Sequence, residues 1–531
     1  MRLVIPFLPM RAVRKRLGQS RENLLAGAAV SVFAFALYLF TLAPTVLYYD
    51  LPDLRDVATL QTKVAILGVP DYTGYPTWVI LAHLFTYLPF GDEAYRANLS
   101  SAVFAAFAVF FVFLCAHRLT GRTAAAAGGA LAFAVGDIFW SQALVAEVYT
   151  LNALFIALII YVVLLWRDAR RDRYLLLTAF LIGLSLTHHL TSGLLLPAAL
   201  LFIGLVEPRK LLEWRLLLKG TGLFLIGLLP YLYIPIRTSM DYLPQGWVWG
   251  QPLVREYPPN TLYGFYNLIS GGLWKERMWA FGPRELPERL LLYLDYLYGS
   301  NAQMHLGLVL VAIFGFFLLI YRDLASGAML GFLYAGWLFH ALEYDIEDIY
   351  YYFIPTYLIL ALFLAVGFGA LFDVLGRSRE RLPAPELLAV VLAVSVILLP
   401  LLGARETYRK VDMSEDYHGR EITAAIAEKV KRGAAVLHHR SPLDYMILVE
   451  GRRTDIEPIA YIEAPDPPGI VRATRALRER PVYILFPGRE TTPYYLGVED
   501  SERLYRRYGY DLVEVDREVL LYEVVRREGS G

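Results

Sequence analysis

Residues 23–56 read NLLAGAAVSVFAFALYLFTLAPTVLYYDLPDLRD. The apolar part, Leu24–Pro44, is long enough to cross the hydrocarbon core of a bilayer, which takes about 20 residues of helix. Before it lies a basic tail with Arg2, Arg11, Arg14, Lys15, Arg16 and Arg21; after it come Asp50, Asp53 and Asp56. Basic residues on one side of a span and acidic residues on the other fix an orientation, because Lys and Arg are retained on the cytoplasmic side. The pattern implies a polytopic membrane protein with acidic chemistry at its outer face.

Composition agrees. The chain has 531 residues, 57% of them hydrophobic and 19% charged, and its mean hydropathy is positive. A soluble chain of this length carries more charge and shorter apolar runs. With 50 basic and 50 acidic residues there is no basic excess for a nucleic-acid partner. The one cysteine, Cys115, lies in an apolar run and leaves no intramolecular disulfide to form.

Apolar runs recur at Leu24–Pro44, Leu99–Ala116, Thr123–Trp140, Val148–Trp166, Tyr174–Leu190, Ser192–Val206, Leu216–Ile236, Leu306–Tyr321, Ala325–Leu342, Tyr351–Leu371 and Leu387–Leu402. This predicts about eleven transmembrane helices. With residues 1–23 as a cytoplasmic tail, the later inner loops hold Arg118 and Arg122, the Arg167–Arg173 cluster, Arg209 to Lys219, Arg322, and Arg377 to Arg381. Residues 24–402 form the membrane domain, with outer loops at 45–98 and 237–303. In the first of these, the turn VPDYTGYP separates two expected short interfacial helices. An odd span count puts residues 403–531 outside. There EITAAIAEKVKRG alternates with the strand-like runs AAVLHH, PVYILF and EVLLYEVV, the pattern of a small α/β domain. His438 and His439 belong to the first run and are read as structural.

Several residues at the outer span ends carry chemistry. Asp50 is a candidate general base, since partial burial lifts a carboxylate towards neutrality; the plainer reading of DLPD is a helix cap. Asp71 sits among turn residues of GVPDYTGYP, where Asp commonly bonds locally. Glu147 lies at the mouth of a span, where an ionisable group is expensive unless it faces a cavity or partner. His188 and His189 end another span beside these carboxylates. Asp345, Glu347 and Asp348 form the last outer acidic group, which also suits an ordinary solvated turn. Outer cations are few. Arg96 and Arg237 are candidate phosphate ligands or interfacial anchors. There is no Gly-rich phosphate loop, CxxC or HExxH.

The stretches LAPTVLYYDLPDL, LGVPDYTGYPTWVILAHLFTYLPFGDEAYRANLSSAVFAA, FWSQALVAEVYTLNALF, GLSLTHHLTSGLLLP, GLLPYLYIPIRT, WVWGQP and EYDIEDIYYYFIPTYL, with VDMSEDY more weakly, carry a resemblance. They are similar to bacterial membrane proteins once classed as a domain of unknown function and grouped with protein O-mannosyltransferases, in the GT-C glycosyltransferase superfamily. The resemblance runs to about Tyr357. Asp50 matches the family's Asp, Asp53 stands where Glu is usual, and Asp71 stands where His is frequent. Glu147, His189, Arg96 and Arg237 match family positions.

The resemblance implies a membrane enzyme that takes a sugar, mannose or another hexose, from a polyprenyl-phosphate donor to an extracytoplasmic acceptor hydroxyl, that acceptor being a protein, lipid or glycan. Asp50 is then the base and Asp53 its support. Asp71, Tyr75, Arg96, Glu147, His188, His189, Arg237, Asp345 and Asp348 bind substrate. No cofactor or metal is expected, though Asp50, Asp53 and Asp71 have the oxygen ligands of a hard cation. The setting is the inner membrane. A flippase for a lipid-linked glycan is the alternative; against it, no inverted repeat is visible. A third reading is a membrane anchor that displays the C-terminal domain.

Overall fold

Each apolar run becomes helix, and the breaks fall where the chain is least able to continue one. In the computed structural model, residues 21–48, 56–70, 73–240, 258–299, 303–378, 380, 383–460, 476, 479–491 and 496–527 are described. Asp50, Asp53 and Asp71 lie outside the described residues. Among those described, seven helices are long and apolar enough to cross a membrane, and three shorter apolar helices accompany them. The expected span Thr123–Trp140 is divided: the helix Thr123–Ala134 stops before Gly136, and Asp137–Gln142 starts anew. The run at 216–236 likewise passes from Trp214–Gly227 through a 3-10 turn at Leu229–Leu232, with Pro230 at its start, into Tyr233–Thr238.

Polar residues set the helix ends. Asp92 accepts from the Tyr95 amide and opens Glu93–Thr120, which closes on Gly121 at φ +65. Asp323 caps Leu324–Leu342 by accepting from the Ser326 amide. In the middle of the bundle small residues let backbones touch: a Cβ at Gly315 would collide with the Phe363 carbonyl, and one at Gly367 with the Val311 carbonyl. This brings Leu306–Arg322 tightly against Ile354–Arg377.

At the end of the bundle where Glu93–Thr120 finishes, arginines close the helices onto one another. Arg118 pairs with Asp168 at 2.6 Å, Arg322 with Asp373 at 2.9 Å, and Arg170 with Glu207 at 2.8 Å. Arg167 reaches Asp323 at 2.5 Å with both side chains almost wholly buried, and donates to Ser326 at 2.8 Å. The cap of one helix is thus also the counter-ion of another.

The opposite end carries the α/β domain. Five strands, β1 (Ala435–His438), β2 (Glu457–Ala460), β3 (Val482–Leu485), β4 (Tyr510–Asp516) and β5 (Leu521–Arg526), run in the order β2-β1-β3-β5-β4. β1 is parallel to β2 and β3, while β5 is antiparallel to β3 and β4. The three strand-like runs seen in the sequence are β1, β3 and β5, and EITAAIAEKVKRG supplies most of the helix His418–Lys429. One face of the sheet packs Ile422, Ile426, Leu443 and Met446, and the other packs Val498, Tyr505 and Tyr510.

Two short helices were expected along the outer interface, and two form: Val57–Ala65 and Pro76–His83. The first does not lie on a lipid surface. Val57, Ala58, Leu60, Gln61, Thr62 and Val64 are buried, because the helix is sandwiched between Glu93–Thr120 and Leu443–Leu448 of the α/β domain.

Removing one member of a buried ion pair leaves the other charge stranded, at a cost of about 3–5 kcal/mol. Asp323→Ala also removes a helix cap. It is expected to lower the thermal midpoint of the detergent-solubilised protein more than Glu207→Ala, whose partner Arg170 is 41% exposed.

Candidate active site

Four connections meet at the end of the bundle next to the α/β domain. The first is the turn before Pro76–His83. Gly74 adopts φ +83, and a Cβ there would meet Ile234 Cδ1 at 2.8 Å, so glycine alone fits comfortably. Tyr75 comes next, in the left-handed region at φ 39. A tyrosine held there costs on the order of 1–3 kcal/mol, and such strain concentrates at functional sites. The second connection, Ala143–Val148, carries Glu147. The third, Thr187–His189, ends with the two histidines, and the Thr77 and Thr187 hydroxyls bond at 2.5 Å to tie it to the first. The fourth runs from Glu343 to Phe353.

Their rings form one cluster. Tyr75 stacks on His189 with centroids 6.4 Å apart, and Tyr149 and Tyr352 face the same imidazole at 6.1 and 5.7 Å. Tyr352 also meets Tyr344 at 5.2 Å and His340 at 6.2 Å, while Tyr351 lies 5.2 Å from Tyr149. His188 donates from Nε2 to the Val148 carbonyl at 2.9 Å. Its Nδ1 is buried and has no hydrogen-bond partner among the described residues.

Burial governs the charge state. It pushes the Glu147 carboxyl up to about 8; the Val148 amide bonded to it pulls the other way, and the Asp348 charge adds to the rise. Burial likewise lowers His189 to about 3, helped by His340, and holds His188 well below the usual imidazole range. At neutral pH the cluster is therefore a neutral acid, neutral imidazoles and phenols around a few exposed carboxylates. It offers hydrogen bonds to hydroxyl groups without fixed charge, with flat aromatic faces beside them.

A buried amide pair ties this cluster to the chain that leads into Asp50. Asn98 and Gln61 are both fully buried. Asn98 Oδ1 accepts from Gln61 Nε2 and from the Ala146 amide, each at 2.9 Å. Asn98 Nδ2 donates to the Ala43 carbonyl at 3.1 Å, and Gln61 Oε1 accepts from the Leu47 amide at 3.2 Å. On the next turn, Ser101 both donates to the Glu147 carbonyl and accepts from its amide at 3.2 Å. One helix thus holds the segment 43–47 and the Glu147 loop in register.

Of the candidate residues, Tyr75, Glu147, His188 and His189 are brought together, and the Asp348 charge reaches Tyr75, Glu147 and Tyr149. Asp345 stands at the edge, its amide bonded to the Arg277 carbonyl at 3.0 Å and its charge felt by Arg289. The two expected cations are occupied otherwise. Arg96 donates to the Thr86 and Leu88 carbonyls at 2.5 and 2.6 Å and pairs with Glu93. Arg237 donates to the Leu67 and Ile66 carbonyls at 2.6 and 2.8 Å, where Val57–Ala65 ends. Both act as backbone clamps because unpaired carbonyls at helix ends are strong acceptors. Missed from the sequence were Tyr149, His340, Tyr344, Tyr351, Tyr352 and Arg277. The last is close enough for its charge to favour the ionised Tyr344 phenol. A histidine inside the apolar run GWLFHAL was the available signal.

No group of three or more His, Cys, Asp or Glu suited to a metal occurs among the described residues. A cavity of about 320 Å³ lined by Asp137, Gln303, His305 and Lys410 shares no residue with this cluster.

Residues 56–211 match the family model for the protein O-mannosyl-transferase TMEM260 N-terminal domain. The similarity to that domain is to this stretch of the chain. The stretch holds Tyr75, Glu147, His188 and His189, and it begins just after the acidic loop. Mouse protein O-mannosyl-transferase TMEM260 is 36% identical over 255 residues, covering 47% of this chain and 34% of the mouse protein. Dictyostelium discoideum protein O-mannosyl-transferase tmem260 is 20% identical over 424 residues, covering 72% of this chain and 50% of its own. The chain therefore spans between a third and a half of these relatives. The crystal structure of ArnT from Cupriavidus metallidurans bound to undecaprenyl phosphate aligns over 95% of this chain and 98% of its own at TM-score 0.56, with 13% identity. Its apo form aligns at TM-score 0.59. The likeness establishes a fold shared with ArnT over nearly the whole chain, taking in residues 56–211 and the remaining helices.

Two outcomes are expected. Glu147 keeps its proton up to about pH 8, so any function that needs it as a donor falls as pH rises through that value. Glu147→Gln, a permanently neutral donor, flattens that alkaline limb in a pH–rate profile. Because the folded state binds this proton more tightly than the unfolded one, stability also declines with rising pH between the two values, and the melting temperature of Glu147→Gln loses that slope. Asn98→Leu strands the Ala43 carbonyl and the Ala146 amide, each worth about 1–3 kcal/mol when buried unpaired. It is expected to abolish a cooperative thermal transition or lower its midpoint steeply.

Proposed function

We propose that the chain is an integral membrane glycosyltransferase that moves a hexose, with mannose favoured by its relatives' names, from a polyprenyl-phosphate donor to an acceptor hydroxyl on the extracytoplasmic side. The supporting observation is the Asn98–Gln61 pair, which fixes the Glu147 loop against the chain entering the Asp50 loop. A cluster of neutral hydrogen-bonding groups and flat aromatic faces suits the hydroxyls and ring faces of a sugar.

In the proposed step Asp50 removes the acceptor hydroxyl proton as that oxygen attacks the anomeric carbon. The bond from that carbon to the phosphate oxygen breaks, and polyprenyl phosphate leaves with the electron pair. Asp53 orients Asp50. Tyr75, Glu147 and His189 hydrogen-bond or stack against the sugar and hold its reacting carbon near the base, which is where positioning lowers the barrier. Charge grows on the phosphate in the transition state and is met by cations at the mouth. In this reading Arg277, whose charge reaches Tyr344, takes that place, and Arg237 holds the end of Val57–Ala65. The donor's prenyl chain stays in the bilayer against the apolar helices, so no nucleotide site is required.

The orientation proposed puts the arginine-rich end of the bundle in the cytoplasm, as the positive-inside bias requires, and the α/β domain outside, in the inner membrane of the cell.

Purified protein in liposomes with labelled polyprenyl-phosphate mannose and an acceptor peptide is expected to form glycoside. Asp50→Asn is expected to cut the rate at least a hundredfold, the usual scale for losing a general base. Full transfer by Asp50→Asn, or scrambling of labelled lipid without product, overturns the reading.

A further inference from the structure

The α/β domain holds both ends of the loop that carries Asp50 and Asp53. On the near side, Tyr48 is the last described residue before the loop. Its ring is buried in that domain's own core beside Ile422, Ile426, Leu443 and Met446. Its hydroxyl donates to the His439 carbonyl at 3.3 Å, across 391 positions of sequence. On the far side, Asp56, at the start of Val57–Ala65, forms an ion pair with Arg440. Consecutive residues of one turn, His439 and Arg440, therefore grip Tyr48 and Asp56.

That turn is built under strain. Arg440 sits at φ 47, a left-handed conformation that non-glycine residues rarely adopt. In that setting its side chain, 18% exposed, pairs with Asp56. A second ionic contact reinforces the junction. Arg420 donates to Thr45 at 2.6 Å and pairs with Asp92 at 2.5 Å and with Glu450, while the Ala94 amide donates to the Tyr445 hydroxyl at 3.1 Å. Thr45, in the chain that enters the loop, and Asp92 and Ala94, at the start of Glu93–Thr120, are thus tied to the same domain.

We infer that Arg440, with the His439 carbonyl, is a positioning element for the transfer reaction: the α/β domain sets the separation and orientation of the Tyr48 and Asp56 anchors and so places the catalytic carboxylate. This rests on the function proposed above. The domain is then a working part of the transferase and not an appended binding module.

The test uses the full chain in liposomes or nanodiscs and two readouts. Arg440→Asn keeps a residue that tolerates the left-handed backbone and removes the charge; Arg440→Lys keeps the charge. For Arg440→Asn, kcat is expected to fall at least tenfold with donor KM within about threefold, on the scale at which small misplacements cost rate. Hydrogen exchange in the peptide 46–58 is expected to quicken, while β1 and β3 exchange as in the wild type. Arg440→Lys recovers most of both. Should Arg440→Asn fail to fold, Tyr48→Phe, which deletes one hydroxyl and keeps the ring, carries the test with a smaller fall in kcat.

Wild-type kcat in a folded Arg440→Asn, or wild-type exchange in 46–58, overturns the inference, as does wild-type kcat in Tyr48→Phe where Arg440→Asn does not fold. Exchange in 46–58 reads the grip even if Asp50→Asn remains active. A failed transfer mechanism and a failed clasp are therefore told apart.

Discussion

Everything at the active end depends on two buried amides. Asn98 and Gln61 sit where a bilayer-spanning helix meets loops that have no regular secondary structure of their own, and every polar atom of such loops must find a partner away from water. The pair meets that demand for two stretches at once: residues 43–47 and the turn before Glu147. Within a low-dielectric interior a satisfied network of this kind is stiff, and a half-satisfied one is worse than none. Irregular backbone at membrane depth survives only where protein covers it, and here the amides supply the cover.

That anchor also decides the electrostatics. The Glu147 loop is packed under tyrosines and histidines, so its carboxyl is forced towards the neutral form by loss of water more than by any neighbour's charge. The same burial keeps both adjacent imidazoles uncharged. At the far end of the bundle the choice is opposite. Arginines there share carboxylates in a network: Arg167 pairs with Asp323 and Asp168, and Asp168 also pairs with Arg118. The cluster around Glu147 is thus built from neutral hydrogen-bonding groups, whereas the far end is cross-linked by ion pairs.

Much of this was legible in the sequence because bilayers impose strong rules. Long apolar runs had to be helices, and alternating runs in the last 130 or so residues gave three of the five strands. Ionisable residues at span ends stood out, and Glu147, His188, His189 and Tyr75 do gather. The features that stayed hidden have a physical cause in each case. Tyr149, Tyr351 and Tyr352 look like ordinary interfacial aromatics, and only tertiary packing turns them inward. Arg96 and Arg237 look available because sequence does not show carbonyls awaiting a donor. Asn98 resembles any polar residue in ANLSS, since its four bonds go to groups as distant as Ala43 and Ala146.

The place of the Tyr48 ring has a temporal meaning. Ribosomes release this tyrosine early, yet the hydrophobic nest that receives it is assembled from residues such as Ile426, Tyr483 and Leu521, synthesised hundreds of codons later. Until those residues emerge, the segment that ends at Tyr48 has nowhere to dock. Chains that stop short of β5 would lack part of the nest, so seating of that ring waits on a strand made more than four hundred residues later.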